Sequence, residues 1–235
     1  MGSQENEIVL YTNRRCPWAH RAHIALDELK VPFKEVTIDL DTPRTQEYLA
    51  INPRGLVPSI SFNGEIYTES AVVSWLLADA FPSGKLVLPS SAAGGPQQRA
   101  RIAFFVDTYF SKFQGGLMKL FGAKTDEEQE PIITEAVDKL VKEIEPLLKN
   151  AKPFFGGSSH ITQAEVLTGS FVIRLVSLTK VGIYPAKLSS SIAERAPNFW
   201  KWAEAVAAHP SVTGIYDEEK IIASTKARIA KARAS

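Results

Sequence analysis

The chain changes character near residue 85, and that change limits the folds open to it. Up to Phe81-Pro82-Ser83-Gly84, strand and helix signals alternate; from Gln97 onward the pattern is helical, with almost no strand signal. Ile8-Val-Leu-Tyr11 is a short β-prone run. Cys16-Pro17 opens a helix whose apolar residues Trp18, Ala22, Ala25, Leu26 and Leu29 follow helical spacing. Pro17 suits the first helical turn, and Lys30-Val31-Pro32 stops the helix. Residues 33–38 alternate as a second strand, and 43–49 read as a short helix. Two further strand signals flank Asn63-Gly64, a dipeptide that turns hairpins because both residues tolerate positive φ. Ser70 is placed to cap a helix running to about Ala80. The order β-α-β-α-β-β-α predicts an α/β thioredoxin-like domain with a small mixed sheet, followed by an all-α domain.

The predicted division is 1–85 for the first domain, 86–96 for a linker and 97–235 for the helical domain. Ser90-Ser-Ala-Ala-Gly-Gly-Pro96 is small and polar, as a linker or helix lead-in should be. Helices are predicted over 97–121, 127–149, 163–181, 190–208 and 216–232. Thr162 with Glu165 fits a capping box. The stretch after it, 166–176, is apolar nearly all round and must be buried, so it forms the second core.

Composition narrows the function classes. The net charge is +1, with 27 basic against 26 acidic residues, which argues against nucleic acid or an anionic membrane as the main partner. The basic run from Lys220 to Arg233 reads as a solvated helix face. The polar start lacks the regions of a signal peptide, and no apolar run approaches the ~20 residues of a membrane span, so a cytoplasmic protein is expected. One cysteine allows neither an intrachain disulfide nor a cysteine-rich metal site. His20 and His23 share a helix face without an obvious third ligand. They are read as solvent-facing or ordinarily hydrogen-bonded, and no metal is expected.

That cysteine, Cys16, sits at a helix start. A free thiol is mostly protonated at neutral pH, and the unpaired N–H groups and dipole of a helix N-terminus favour the thiolate. Arg14, Arg15 and His20 are near in sequence. A buried structural cysteine is the bland alternative; the position before Pro17 on a clear amphipathic helix favours the reactive one. With no second protein thiol, any mixed disulfide must be resolved by an external thiol, and glutathione is the abundant candidate. Val57-Pro58 stands where a thioredoxin-like domain carries a cis-proline loop facing the first helix. An extended peptide could pair with the Val57 backbone. Glu69 can accept an ammonium and Ser70 can offer a hydroxyl and N–H groups to a carboxylate, although a plain helix cap explains Ser70 equally well.

Cys16-Pro-Trp-Ala-His-Arg21, Asn52-Pro-Arg-Gly-Leu-Val-Pro58 and Glu69-Ser70 resemble the cytosolic glutathione transferases. The closest likeness is to the cysteine-type omega class, with the lambda class second. Phe154-Phe-Gly-Gly157, the Thr162 cap and Ala196-Pro-Asn-Phe-Trp-Lys-Trp202 resemble the family's helical domain, so the likeness covers nearly the whole chain. It implies that Cys16 is the catalytic thiol and that Trp18 lies beside the glutathione sulfur. Val57 would pair with the cysteinyl backbone beside a cis Pro58, Glu69 and Ser70 would hold the γ-glutamyl group, and Arg44 would reach the glycyl carboxylate. It places a second-substrate pocket between the domains, near the helix over 97–121 and Trp202, with Tyr109, Phe110, Phe113 and Met118 as candidate walls, at least half of which are expected to be core instead. It also implies a homodimer, with glutathione as co-substrate and a small hydrophobic or disulfide-type partner substrate. The activity expected is thiol transfer: deglutathionylation, dehydroascorbate reduction or a related reaction. Conjugation of glutathione to electrophiles and non-catalytic binding of hydrophobic ligands are the alternatives. Trp18 is bulkier than the phenylalanine often found in the family at that place, and Glu165 replaces a common aspartate.

Overall fold

The computed structural model describes residues 6–82 and 86–234. Four strands, β1 (Ile8–Thr12), β2 (Lys34–Thr37), β3 (Ser59–Phe62) and β4 (Glu65–Thr68), form one sheet in the order β2-β1-β3-β4. β1 runs parallel to β2 and antiparallel to β3, and β3 pairs antiparallel with β4. The β3–β4 turn is made by Asn63 at φ 53° and Gly64 at φ 85°, the positive values a two-residue hairpin needs. Alternate residues of β1 are buried, so Ile8, Leu10 and Thr12 face inward.

Helix α1 (Pro17–Leu29) packs against α3 (Ser70–Ala80) and against α7 (Gln163–Lys180) of the helical half. The short α2 (Gln46–Ile51) brings Tyr48 to a separate small cluster with Ala19 and Val57. α2 starts later than residue 43 because Thr45 is its cap, accepting a hydrogen bond from the Tyr48 N–H. Ser70 does not cap α3. Glu69 takes the capping position at φ 70° without a side-chain bond, and Ser70 is the first helical residue.

The helical half opens with α4 (Gly95–Thr108). The helix widens to π-type geometry over Tyr109–Gln114 and continues through α5 (Gly115–Leu117) to a 3₁₀ turn at Met118–Phe121. A Cβ on Gly95 would stand 2.1 Å from the Pro89 carbonyl oxygen, so this close approach requires glycine. Before it, Leu86 and Val87 are buried and the Leu86 carbonyl accepts from the Gln163 N–H at 2.8 Å. α6 (Asp126–Lys139) runs on to Leu148 through tighter and wider turns. α7 (Gln163–Lys180) is buried along nearly all its length, as its apolar sequence requires. The helix expected over 190–208 is two helices, α8 (Ala186–Arg195) and α9 (Pro197–Ala207). Pro197 excludes the helical conformation from Ala196, which sits at φ −136°, ψ 62°. α10 (Pro210–Thr213) and α11 (Glu218–Ala234) complete the chain. The fold is thus the expected thioredoxin-like sheet domain joined to an all-α domain, sharing one continuous apolar core.

The capping box is present and does more than cap. Besides accepting from Thr162, the buried Glu165 carboxylate accepts from the Phe155 N–H at 2.7 Å and from the Trp202 indole N–H at 2.8 Å.

His20 and His23 are not solvent-facing; both are buried. His23 shares a hydrogen bond with the Thr12 hydroxyl at 3.0 Å, and its ring meets Phe33 edge-on. Burial is the main force pushing His23 down to about 4 from an ordinary 6.5, and burial also holds His20 well below its ordinary value. Unfolded chains therefore bind protons that the folded protein refuses. Stability is complete above pH 6.5 and falls as the pH drops from 6.5 toward 4, on the order of 3 kcal/mol for His23 alone. Urea denaturation at about pH 7.5 and pH 5 should show about 2 kcal/mol of this loss, and His23→Gln should shrink it; equal stability at both pH values would refute the assignment.

Candidate functional site

The loop from Thr12 to Cys16 is fixed by Asn13, a residue sequence reasoning passed over. Its buried side chain donates to the Ile38 carbonyl at 2.9 Å and accepts from the Arg15 N–H at 3.0 Å, while its carbonyl accepts from the Cys16 N–H at 2.9 Å. Cys16 thereby becomes the residue before α1, in extended conformation, with Pro17 first in the helix. Its thiol is partly exposed and faces the Val57 carbonyl at 3.9 Å. Val57-Pro58 is a cis peptide. The loop before it is held by Asn52, whose amide donates to the Leu56 carbonyl at 2.9 Å and to Ser59 Oγ at 3.1 Å.

Cys16, Trp18, Arg44, Val57, Pro58, Glu69 and Ser70 line one cavity of about 480 Å³. The structure thus brings together every residue singled out for glutathione. Glu69 keeps a positive φ, a strained state for a non-glycine residue that tends to occur at ligand sites. Its exposed carboxylate pairs with Arg54, the second residue missed from sequence. Such an exposed pair contributes little, so its exchange for a ligand's ammonium costs little. Arg44 donates from Nε to Gly55 and from Nη1 to the Asp39 and Thr42 carbonyls, which makes it first a brace of the loop lining the cavity.

The cations near Cys16 in sequence are otherwise engaged. Arg14 forms a two-pronged pair with Glu35, and Arg15 pairs with Asp41 at 2.6 Å. Instead, Arg21 and Arg174 are near enough to Cys16 for a charge on its sulfur to act on them. Arg21 is buried, donating to the Leu167 carbonyl at 2.8 Å and to the Ser70 hydroxyl at 3.0 Å, with its guanidinium 4.5 Å from the Trp18 ring centre. Burial pushes it down to about 9. This single side chain ties α1, the Ser70 corner and α7 together. Its i+5 spacing from Cys16 was visible in sequence; its reach across the domains was not.

A second cavity, about 420 Å³, adjoins the first, with Trp18 lining both. Trp18 is 44% exposed and packs against Phe171 at 4.7 Å and Phe110 at 5.4 Å. Phe110 and Met118 line this cavity, as expected. Tyr109, Phe113 and Trp202 do not: each is fully buried in the core. The Trp202 indole is committed to Glu165, and Tyr109 donates to Gln114 at 3.1 Å from a layer behind the wall. The widened turn at Tyr109–Gln114 shifts the phase of the helix face, which sequence periodicity alone does not reveal. Tyr11, the tyrosine nearest to Cys16 in sequence, stays in β1 beside Tyr48 and lines neither cavity. Among the described residues no group of three or more His, Cys, Asp or Glu side chains could hold a metal, and no helix is long and apolar enough to cross a membrane.

Comparison with known proteins identifies the family. Residues 15–80 match the family described as glutathione S-transferase, N-terminal domain. Mouse glutathione S-transferase omega-1 is 30% identical over 175 residues, covering 74% of this chain and 69% of the mouse protein. The chain therefore belongs to the glutathione transferase family, with an omega-like character. The structure of rice GST1 in complex with glutathione superposes with a TM-score of 0.81 at 25% identity, covering 97% of this chain and 99% of the rice chain. Glutathione transferase Omega 3C from Trametes versicolor shares the fold with a TM-score of 0.77 at 23% identity, over 99% and 93% of the two chains.

Proposed function

We propose that this protein is a glutathione-dependent thiol transferase with Cys16 as its nucleophile. The observation that carries the reading is the thiol at the α1 N-terminus, opening on a cavity that also presents the Val57 backbone, Glu69 and Ser70. In that cavity the glutathione γ-glutamyl ammonium meets Glu69. Its carboxylate meets the Ser70 hydroxyl and the unpaired N–H groups at the start of α3. The cysteinyl backbone runs beside Val57, Arg44 is the cation for the glycyl carboxylate, and Trp18 covers the sulfur.

The chemistry is two successive exchanges. The Cys16 thiolate attacks the glutathione sulfur of a glutathionylated substrate; the new Cys16–glutathione disulfide forms as the old bond breaks, and the substrate leaves as a thiolate that takes a proton from solvent. A second glutathione thiolate then attacks the glutathione sulfur of that mixed disulfide. Oxidised glutathione leaves and the Cys16 thiolate is regenerated, so each turnover breaks the substrate's disulfide, forms that of oxidised glutathione and consumes one reduced glutathione.

Conjugation is the second reading, and the apolar cavity beyond Trp18 is the observation that favours it, since an aromatic electrophile fits there. An activity panel separates the two: turnover of a mixed-disulfide substrate and of dehydroascorbate, well above that of an aromatic electrophile, is the expected outcome. Turnover of the electrophile alone would reverse the assignment. Family membership supports a cytoplasmic homodimer; a monomer in light scattering would count against it.

A further inference from the structure

A further cavity, of about 570 Å³, opens on the helical domain between α7, α8, α9 and the chain after α10, and it shares no residue with either cavity described above. Ile173 and Val176 of α7, both buried, give it an apolar wall. Two aromatic side chains line it as well, Trp200 of α9 and Tyr216, each partly buried against the core. Tyr216 is fixed in place. Its hydroxyl shares a hydrogen bond with Ser177 Oγ, and its ring centre lies 5.4 Å from the Arg174 guanidinium and 6.5 Å from that of His20. Trp200 is uncommitted: its ring meets no other ring and its indole N–H has no acceptor among the described residues. A preformed slot with aromatic walls and few polar groups is the usual form of a small-molecule site.

The charge in this slot is unbalanced, with Glu204 and Glu218 against Lys180. Glu204 stands one helical turn after Trp200, and so on the same face of α9. Glu218 follows Tyr216 by two positions. Among the described residues none of the three charges forms an ion pair. The Glu218 carboxylate acts within the cavity: Tyr216 is raised chiefly by burial, and the Glu218 charge adds to that. An aromatic face attracts a cation, indole most of all, and an adjoining carboxylate adds a charge-assisted hydrogen bond. A net negative lining repels an anion of the same shape.

We infer that this cavity binds an aromatic amine in its protonated form, the rings between Trp200 and Tyr216 and the ammonium at Glu204 and Glu218. A volume of about 570 Å³ accommodates two or three rings, which sets the size. The site is separate from Cys16 and its cavity, so the inference goes beyond the transferase reading and stands without it.

Two probes that differ in one group test this by calorimetric titration of the full-length protein near pH 7: 1-naphthylmethylamine, which is protonated, and the uncharged 1-naphthalenemethanol. The amine should bind at least about fivefold more tightly than the alcohol. Glu204→Gln keeps the size of an exposed side chain and removes its charge, so it should weaken the amine about threefold, leave the alcohol unchanged and melt like the parent. Glu204→Gln combined with Glu218→Gln should erase the preference for the amine. Ser189→Trp, which fills the slot from α8, should abolish amine binding. Saturating glutathione should leave the amine's affinity unchanged, because the two cavities have no residue in common. Equal affinity for the two probes, a preference that survives the double substitution, or displacement of the amine by glutathione overturns the inference. None of these outcomes bears on the Cys16–glutathione adduct, whose absence would sink the transferase reading alone.

Discussion

Replacing Cys16 with Ser is expected to lower turnover of a glutathionylated substrate by at least about a thousandfold. The reason is chemical rather than structural. A serine hydroxyl at the same place is a far weaker nucleophile and cannot form the mixed disulfide, and the chain offers no other cysteine to take over. The fold should not suffer, because the thiol is partly exposed and its hydrogen bond to the Val57 carbonyl is a weak one. Conjugation of an aromatic electrophile should survive in this variant or rise, since a hydroxyl can donate to a bound glutathione thiolate without bonding to it. Steady-state assays of both reactions, beside a melting curve, check the claim. Full thiol-transfer activity in Cys16→Ser would remove Cys16 from the mechanism.

The second large effect is on stability. Glu165→Ala should destabilise the protein by about 4 kcal/mol, because the change strands buried donors rather than deleting one contact. The Phe155 and Thr162 N–H groups, the Thr162 hydroxyl and the Trp202 indole N–H all converge on this carboxylate. At the size of this chain such a loss lowers the melting temperature by roughly 10 °C. Glu165→Asp restores the charge on a shorter stem and should recover part of it. A Glu165→Ala protein that melts within a degree or two of the parent would show that the network is not a major support.

The same residue shows how far the sequence could be read. Thr162 and Glu165, three apart before an apolar run, announced the capping box, because that signal is local. Nothing local showed that Glu165 also receives Trp202 from a helix 37 positions on, and so Trp202 was assigned to a substrate pocket. Which of the four candidate walls on this helix are core, Tyr109 and Phe113, was hidden for a related reason. An aromatic stripe at helical spacing marks an apolar face, but not whether that face meets a cavity or another helix, and the widened turn at Tyr109–Gln114 alters the phase. The order of strands and helices in the first domain was legible because turn and cap residues (Asn63-Gly64, Pro17, Thr45) punctuate it. The first-cavity residues were legible as motifs, since Cys16, Val57-Pro58 and Glu69-Ser70 each lie at the end of an element, where fold and binding site coincide. The role of Arg21 was not, because a buried cation satisfied by Ser70, a backbone carbonyl and three rings leaves no pattern of charge in the sequence.

The reactive thiol is the centre of this account, and intact-protein mass spectrometry tests it most directly. After incubation with oxidised glutathione, the protein should gain one glutathione, located at Cys16 by peptide mapping and released by reduced glutathione. Absence of the adduct under conditions where a small free thiol reacts would contradict a nucleophilic Cys16 with a glutathione site beside it.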